Sequence, residues 1–355
     1  MSLTILLLER IAQDGPMSVA DYMATCLMHP QYGYYSTRDP LGADGDFITA
    51  PEISQMFGEL VGLSLAQSWL DQGRPSPFCL AELGPGRGTL MADMLRATQT
   101  VPGFTEAAEI VLVEASPALA AVQAQVLDGY TPSWTDSIEN LPDLPLFLVA
   151  NEFFDALPIR QFFRSGDGWR ERLIGTRDGT LAFGMGAQGA QPALSHRIED
   201  TTEGDLVEIP TMSPVIMGGV AKRIATHGGA ALVVDYGDWR SLGDTFQALQ
   251  AHKQVDPLDD PGRADLTAHV DFEPLAHAAR AAGAAHSRLT PQGVFLERLG
   301  ITTRARRLAS ALDGTARDML IRAHRRLTHP DEMGQLFKVL GLFPATASAP
   351  PGLEP

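Results

Sequence analysis

Cysteine is scarce: Cys26 and Cys79 are the only two in 355 residues, and neither stands in a CxxC or Cys/His spacing suited to zinc. So few thiols exclude a disulfide-stapled scaffold, fit a reducing cytoplasm and leave no metal-ligand set to name. Long apolar runs are missing too. The opening "MSLTILLLERIAQDG" meets Glu9 and Arg10 early and has neither a basic flank nor a small-residue cleavage site. It reads as a helix start, with no signal or transit peptide. No run reaches the ~18 apolar residues of a membrane span, so no integral membrane segment is expected. Basic charge is the third shortage. Lys+Arg 27 against Asp+Glu 43 gives a net charge of −16, a field that repels nucleic acid and anionic lipid and attracts basic peptides. What is plentiful is apolar residues, at 45%, enough to bury the core of one large α/β domain with insertions.

Residues 4–28 carry apolar side chains at helical spacing, followed by the long loop "MHPQYGYYSTRDPLGADGDFITAP". "PEISQMFGELVGLSLAQSWLDQG" then predicts one helix, opened by Pro51 and Glu52 and closed at Gly73. Short apolar strands alternate with helices thereafter: "PFCLAEL", "EIVLVEA", "YTPSWTD", "LPLFLVANEF" and, much later, "GGAALVVDYG". That alternation predicts a mainly parallel sheet covered on both faces. Between the fourth and fifth strands, the runs around "SGDG" and "RDGT" predict antiparallel hairpins inserted at about 158–212. A second insertion, helical and at 291–329, holds eight arginines: either a dock for an acidic surface or a solvated face making local ion pairs. A last strand, "QLFKVLGLFP", ends the sheet domain at residue 344. The Pro/Ala-rich 345–355 is expected to be a disordered tail.

The first strand runs into "ELGPGRG", placing Gly84, Gly86 and Gly88 around Pro85 at the start of a helix. Such a loop lets backbone approach a ligand and offers free N–H groups, although a tight turn without a ligand has the same composition. The spacing is ExGxGxG rather than the dinucleotide GxGxxG. A carboxylate at Glu82 disfavours a pyrophosphate and suits S-adenosylmethionine (SAM), whose amino-acid end brings an ammonium. Glu114, ending the second strand, can accept from ribose hydroxyls. Asp136, after the third, either accepts from the adenine amine beside Trp134 or caps the next helix.

The fourth strand ends in "NEFFD". Asn151, Glu152 and Asp155 are thereby placed at the sheet edge where the methyl of SAM would lie. Methyl transfer needs alignment, a dry pocket and an available lone pair. Two carboxylates, Glu152 and Asp155, can bind a guanidinium, orient one nitrogen and accept its proton, with Phe153 and Phe154 excluding water. Alternatively one acid is a cap and the phenylalanines are core. Asp235 and Tyr236 of "VVDYG" are the reserve candidates.

The blocks "YGYYSTRDPLGADGDFITAPEISQMFGELVG", "ELGPGRGTLMADMLR", "NEFFDALPI", "DYG", "RADLTAHVDF" and "MGQLFKVLGLFP" resemble the MidA family of SAM-dependent methyltransferases. The resemblance spans about residues 6–344. It implies a class I methyltransferase fold (a Rossmann-like seven-stranded sheet, last strand antiparallel) at 74–344. Residues 1–73 would supply helices and a cofactor lid. It also implies protein-arginine ω-N-methyltransferase activity giving symmetric dimethylarginine, on a substrate such as a respiratory complex I subunit. Matched residue by residue, Glu82, Gly84, Gly86 and Gly88 correspond to the family's SAM loop and Glu114 to its ribose acid. Glu152 and Asp155 correspond to its acidic motif, and Phe47 and Thr49 of "GDFITAPEIS" to cofactor contacts. The lack of a transit peptide points to a bacterial cytoplasmic member. The competing readings are a methyltransferase for a small molecule or RNA, and an assembly chaperone that binds SAM without turnover. The oligomeric state is left open.

Overall fold

Among the described residues seven strands make the main path of the nine-stranded central sheet, and the computed structural model, which describes residues 2–37 and 49–355, sets their order. In chain order they are β1 (Phe78–Leu83), β2 (Ala108–Val113), β3 (Ser133–Thr135), β4 (Leu146–Asn151), β5 (Gly229–Asp238), β6 (Ala284–His286) and β7 (Phe337–Pro344). Their spatial order is β3-β2-β1-β4-β5-β7-β6. β1 to β5 pair in parallel with their neighbours, whereas β7 runs antiparallel to both β5 and β6. Every residue of β1 and β4 is buried, because helices cover both faces and leave no polar side. The order reverses between β1 and β4, and a crevice at the carboxyl ends of the strands is where such sheets bind ligands.

These strands belong to a compact unit made of Ile48–Phe154, Pro214–Asp238 and Phe272–Pro355. In it, helix Gln55–Asp71 lies tightly on helix Thr89–Thr98, since a Cβ on Gly62 would come within 2.8 Å of the Met94 Cα. The single helix expected from residue 51 is in fact two. Ser54 adopts extended backbone and its hydroxyl caps Met56 N–H, so a short helix, Ala50–Ile53, precedes the long one. The arginine-rich insertion is helical. Its Arg304 makes a two-bond pair with the buried Glu59, at 2.8 and 3.1 Å, and Arg298 and Arg325 pair with Glu354 and Glu332.

The tail departs from the expected disorder. The Ser64 hydroxyl donates to the Pro351 carbonyl and Arg288 N–H to that of Glu354, while Pro350 and Leu353 lie against Gly341 of β7. Two apolar side chains and two satisfied carbonyls hold what composition alone reads as linker.

The second unit gathers Met1–Phe47, Asp155–Ser213 and Trp239–Asp271, a division different from the boundaries expected at 73 and 344. The helical run at 4–28 is two helices, Leu3–Asp14 and Val19–Met28, interrupted at Gly15 and Pro16. The hairpins are present as strands Ile159–Ser165, Gly168–Arg177 and Thr180–Gly189. At the second turn Asp178 and Gly179 take φ of 52° and 78°, the left-handed pair that matches strand twist. Among the described residues no helix is long and apolar enough to cross a membrane.

Candidate functional site

The turn after β1 is built from left-handed backbone: Gly84, Gly86 and Gly88 have φ of 59°, 55° and 85°. L side chains rarely adopt these values, which is why the loop is spelled with glycine. Gly84 N–H donates to the Val113 carbonyl at the end of β2, and Gly88 N–H to Pro85 O, folding the loop onto the N-terminus of helix Thr89–Thr98. Pro85 is buried at the centre of the turn.

Glu82, 3% exposed, lies under this turn with its Oε2 unpartnered. Burial pushes its carboxyl up to about 8 against the pull of Met91 N–H, and the charge of Glu114 adds to the rise. Asn151, at the end of β4, donates through Nδ2 to Glu152 Oε1 at 3.0 Å, and its buried Oδ1 also has no partner. Two buried acceptors without donors, at the ends of adjacent strands beside a glycine turn, suit a ligand bearing N–H donors and positive charge.

Glu114 is half-buried at the end of β2; its Oε1 accepts from Ser116 N–H at 2.8 Å and its Oε2 from Gln123 Nε2 at 3.1 Å. Burial raises its pKa, opposed by the hydrogen bonds from Ser116 and Gln123. Trp134 of β3 donates from its indole to Gln123 Oε1 at 2.8 Å. Asp136 is exposed, and the cap it was a candidate for is provided instead by Ser137, whose hydroxyl accepts from Glu139 N–H. Gln123 was absent from the sequence reading. The signal was a polar residue four positions after Leu119 on the buried stripe of helix Pro117–Val126.

Glu152 has φ of 50°, unusual for a non-glycine residue, and its Oε1 accepts from Ala50 N–H at 3.0 Å. The described part of the "GDFITAPEIS" block, from Thr49 on, is thus tied to the end of β4. Glu52 accepts from the Thr89 hydroxyl at 2.6 Å, tying the same segment to the helix after the glycine turn. Phe47 and Asp46 lie outside the described residues. Asp235, fully buried on β5, holds the segment after β4. Its Oδ2 accepts from Phe153 and Phe154 N–H at 3.2 and 3.0 Å, and its Oδ1 accepts from Tyr236 N–H. Lys338 of β7 donates to the Gly237 carbonyl at 3.0 Å and fixes the end of β5, its own pKa lowered by burial.

In the second unit Asp155 is 6% exposed and its carbonyl accepts from Ala268 N–H. There the Tyr35 hydroxyl donates to Asp265 Oδ1 at 3.0 Å. Burial raises the Tyr35 phenol well above its usual range, as do the charges of Asp265 and Asp155. Tyr35 and Asp265 sit in the "YGYY" and "RADLTAHVDF" blocks, which marked the family without marking these side chains.

Residues 60–290 match the family described as "Putative S-adenosyl-L-methionine-dependent methyltransferase". The chain is 39% identical to the protein arginine methyltransferase NDUFAF7, mitochondrial, of Xenopus laevis, across 95% of this chain and 83% of that one. The human protein of that name is 37% identical over 95% and 82%. A Burkholderia thailandensis crystal structure bound to S-adenosyl-homocysteine shares the fold with a TM-score of 0.83 and 28% identity, covering 96% of this chain and 91% of that one. The donorless acceptors of Glu82 and Asn151 agree with a ligand that carries an ammonium beside a sulfonium. The chain belongs to this family: it is an S-adenosyl-L-methionine-dependent methyltransferase of the class I fold.

Proposed function

We propose that the methyl acceptor is an arginine side chain of a protein, dimethylated symmetrically on its ω-nitrogens, with a respiratory complex I subunit as the candidate substrate. Support comes from the names of the relatives and from the family resemblance. The observation that carries the reading is the segment after β4, where Asp235 pins two consecutive N–H groups and Glu152 is held in left-handed backbone three residues before Asp155. Such over-determined backbone is a hallmark of functional segments. In this reading Glu82 and Asn151 hold the amino-acid end of the methyl donor, Gly84 to Gly88 admit it, and Glu114 takes the ribose. Asp136 and Trp134 flank the adenine, and Thr49 contacts the donor. SAM supplies an electrophilic methyl on a sulfonium that leaves as a neutral thioether. Glu152 and Asp155 bind the N–H groups of the guanidinium, aim one nitrogen, and take its proton as the N–C bond forms. A reducing cytoplasm belongs to the same reading, supported by two cysteines that are both free and buried.

The test is transfer of labelled methyl from SAM to arginine-containing and lysine-substituted forms of one basic protein substrate. Arginine should be labelled and lysine should not, because an ammonium cannot reproduce the planar two-sided fit. Glu152→Gln and Asp155→Asn should each cut turnover by roughly 100- to 1000-fold, by analogy with oxyanion donors, with SAM affinity little changed. Affinity falling in step with turnover would move both acids to a structural role. Tight SAM binding without transfer to any acceptor would favour a chaperone.

A further inference from the structure

Gln123 is fully buried, and both ends of its carboxamide are in use. Nε2 donates to the Gly86 carbonyl at 2.7 Å and to Glu114 Oε2 at 3.1 Å, and Oε1 accepts from the Trp134 indole at 2.8 Å. One side chain therefore ties together the ends of β1, β2 and β3. Its Cα and Cγ also lie 3.5 Å from where a Cβ on Gly88 would stand, so the helix under it rests directly against the turn.

The sheet itself does not require these bonds. Its strands are joined by backbone ladders, and Glu114 N–H already donates to the Thr135 carbonyl. An apolar side chain at 123 would continue the stripe begun by Leu119 without the cost of burying an amide. What the amide adds is orientation. It fixes a carbonyl of the glycine turn, aims a carboxylate and sets the rotation of an indole that is 37% exposed. It leaves the Glu114 carboxylate, with about four acceptor positions in all, able to take an outside donor as well.

We propose that Gln123 is a positioning residue of the methyl-donor site: it locks Gly86, Glu114 and Trp134 into one rigid set that recognises the adenosine part of the donor. This rests on the reading that these three strand ends hold SAM. The ligand chemistry is a nucleoside with a vicinal diol, held by a carboxylate whose direction Gln123 dictates. The expected signature is a loss confined to donor binding, because Gln123 touches no group assigned to the methyl acceptor.

The test compares wild type, Gln123→Met, Trp134→Phe and the double variant in the full chain, measuring SAM and S-adenosyl-homocysteine binding by calorimetry together with KM, kcat and thermal melting. Gln123→Met keeps length and loses all three bonds. Its Kd for SAM should rise roughly 10- to 100-fold, as when outer partners of a ligand-holding residue are removed. KM for SAM should rise in parallel while kcat at saturating SAM stays within about twofold. Trp134→Phe keeps an aromatic face on a short edge strand and removes only the indole donor. Its effect should be smaller, and the double variant should lose less than the product of the two single losses. Indole emission from Trp134, read as the difference between each chain and its Trp134→Phe partner, should shift in Gln123→Met. Unchanged SAM affinity in Gln123→Met, or fully multiplicative losses in the double variant, would overturn the proposal. Should Gln123→Met fail to fold, Trp134→Phe decides: unaltered SAM affinity there counts against the tie. Failure of wild type to bind SAM would instead sink the assignment of the site.

Discussion

On the proposal that Glu82 holds the amino-acid end of the methyl donor, its raised pKa makes donor binding a proton-linked event. Burial penalises the charge of Glu82 and pushes its carboxyl up from 4.5 to about 8. Between those values the folded chain holds a proton that the unfolded chain has lost, so the stability contribution of this residue falls as pH rises from 4.5 through 8. A cation beside Glu82 reverses the preference. SAM binding at pH 7 should therefore expel about one proton, and affinity should climb with pH until near 8, where an α-amino group of pKa about 7.7 to 8.0 begins to lose its own charge. Calorimetry at pH 7 in buffers of different ionisation enthalpy reads the proton directly: about one released in wild type and none in Glu82→Gln. Equal heats in both buffers for wild type would show that Glu82 stays protonated beside the ligand.

Among the elements, the contact between helices Gln55–Asp71 and Thr89–Thr98 is the least forgiving. Their approach at Gly62 leaves no room for a methyl group, and the opposing atom is backbone. Gly62→Ala should force the helix that follows the glycine turn to shift, costing about 1–3 kcal/mol and lowering the melting temperature. Because that helix begins at the turn, SAM affinity should fall with it. An unchanged melting temperature would mean the pair can slide.

Much of this architecture is legible in the sequence. The apolar strands β1, β2, β4 and β5 are continuous enough to read, and "SGDG" and "RDGT" mark the two hairpin turns because their glycines supply positive φ. The acids and glycines that end strands were legible for the same reason: an abrupt switch from apolar to polar. β6 escaped because three residues, Ala284–His286, give no periodicity. The contribution of Trp239–Asp271 to the second unit escaped because its strands Gln247–Gln250, Lys253–Val255 and Asp265–Thr267 have only three or four residues each, too few to show a periodicity, and pair with one another in a small sheet of their own. Gln123, Asp235 and Lys338 could not be read as a scaffold for the site, since their importance lies in which backbone groups they reach.

At the scale of the molecule, charge is the plainest lever. A net −16 draws a basic substrate in from a distance and screening weakens that pull. Raising salt from about 0.1 M to about 1 M shortens the Debye length from about 10 Å to about 3 Å, so kcat/KM for a basic protein substrate should drop several-fold while kcat holds. A salt-independent kcat/KM would argue for a neutral or small acceptor.

Strand order also bears on how the chain is made. β7 lies between β5 and β6 in the sheet yet emerges from the ribosome after both. While residues 337–344 are still unsynthesised, β5 shows an open row of backbone donors and acceptors along a buried, apolar strand. The half of the sheet carrying β1 to β4 can assemble early, but β6 has no neighbour to join until the strand between them arrives. A nascent chain stalled in that interval is an edge awaiting its partner, and it is the form most exposed to mispairing and to chaperone capture.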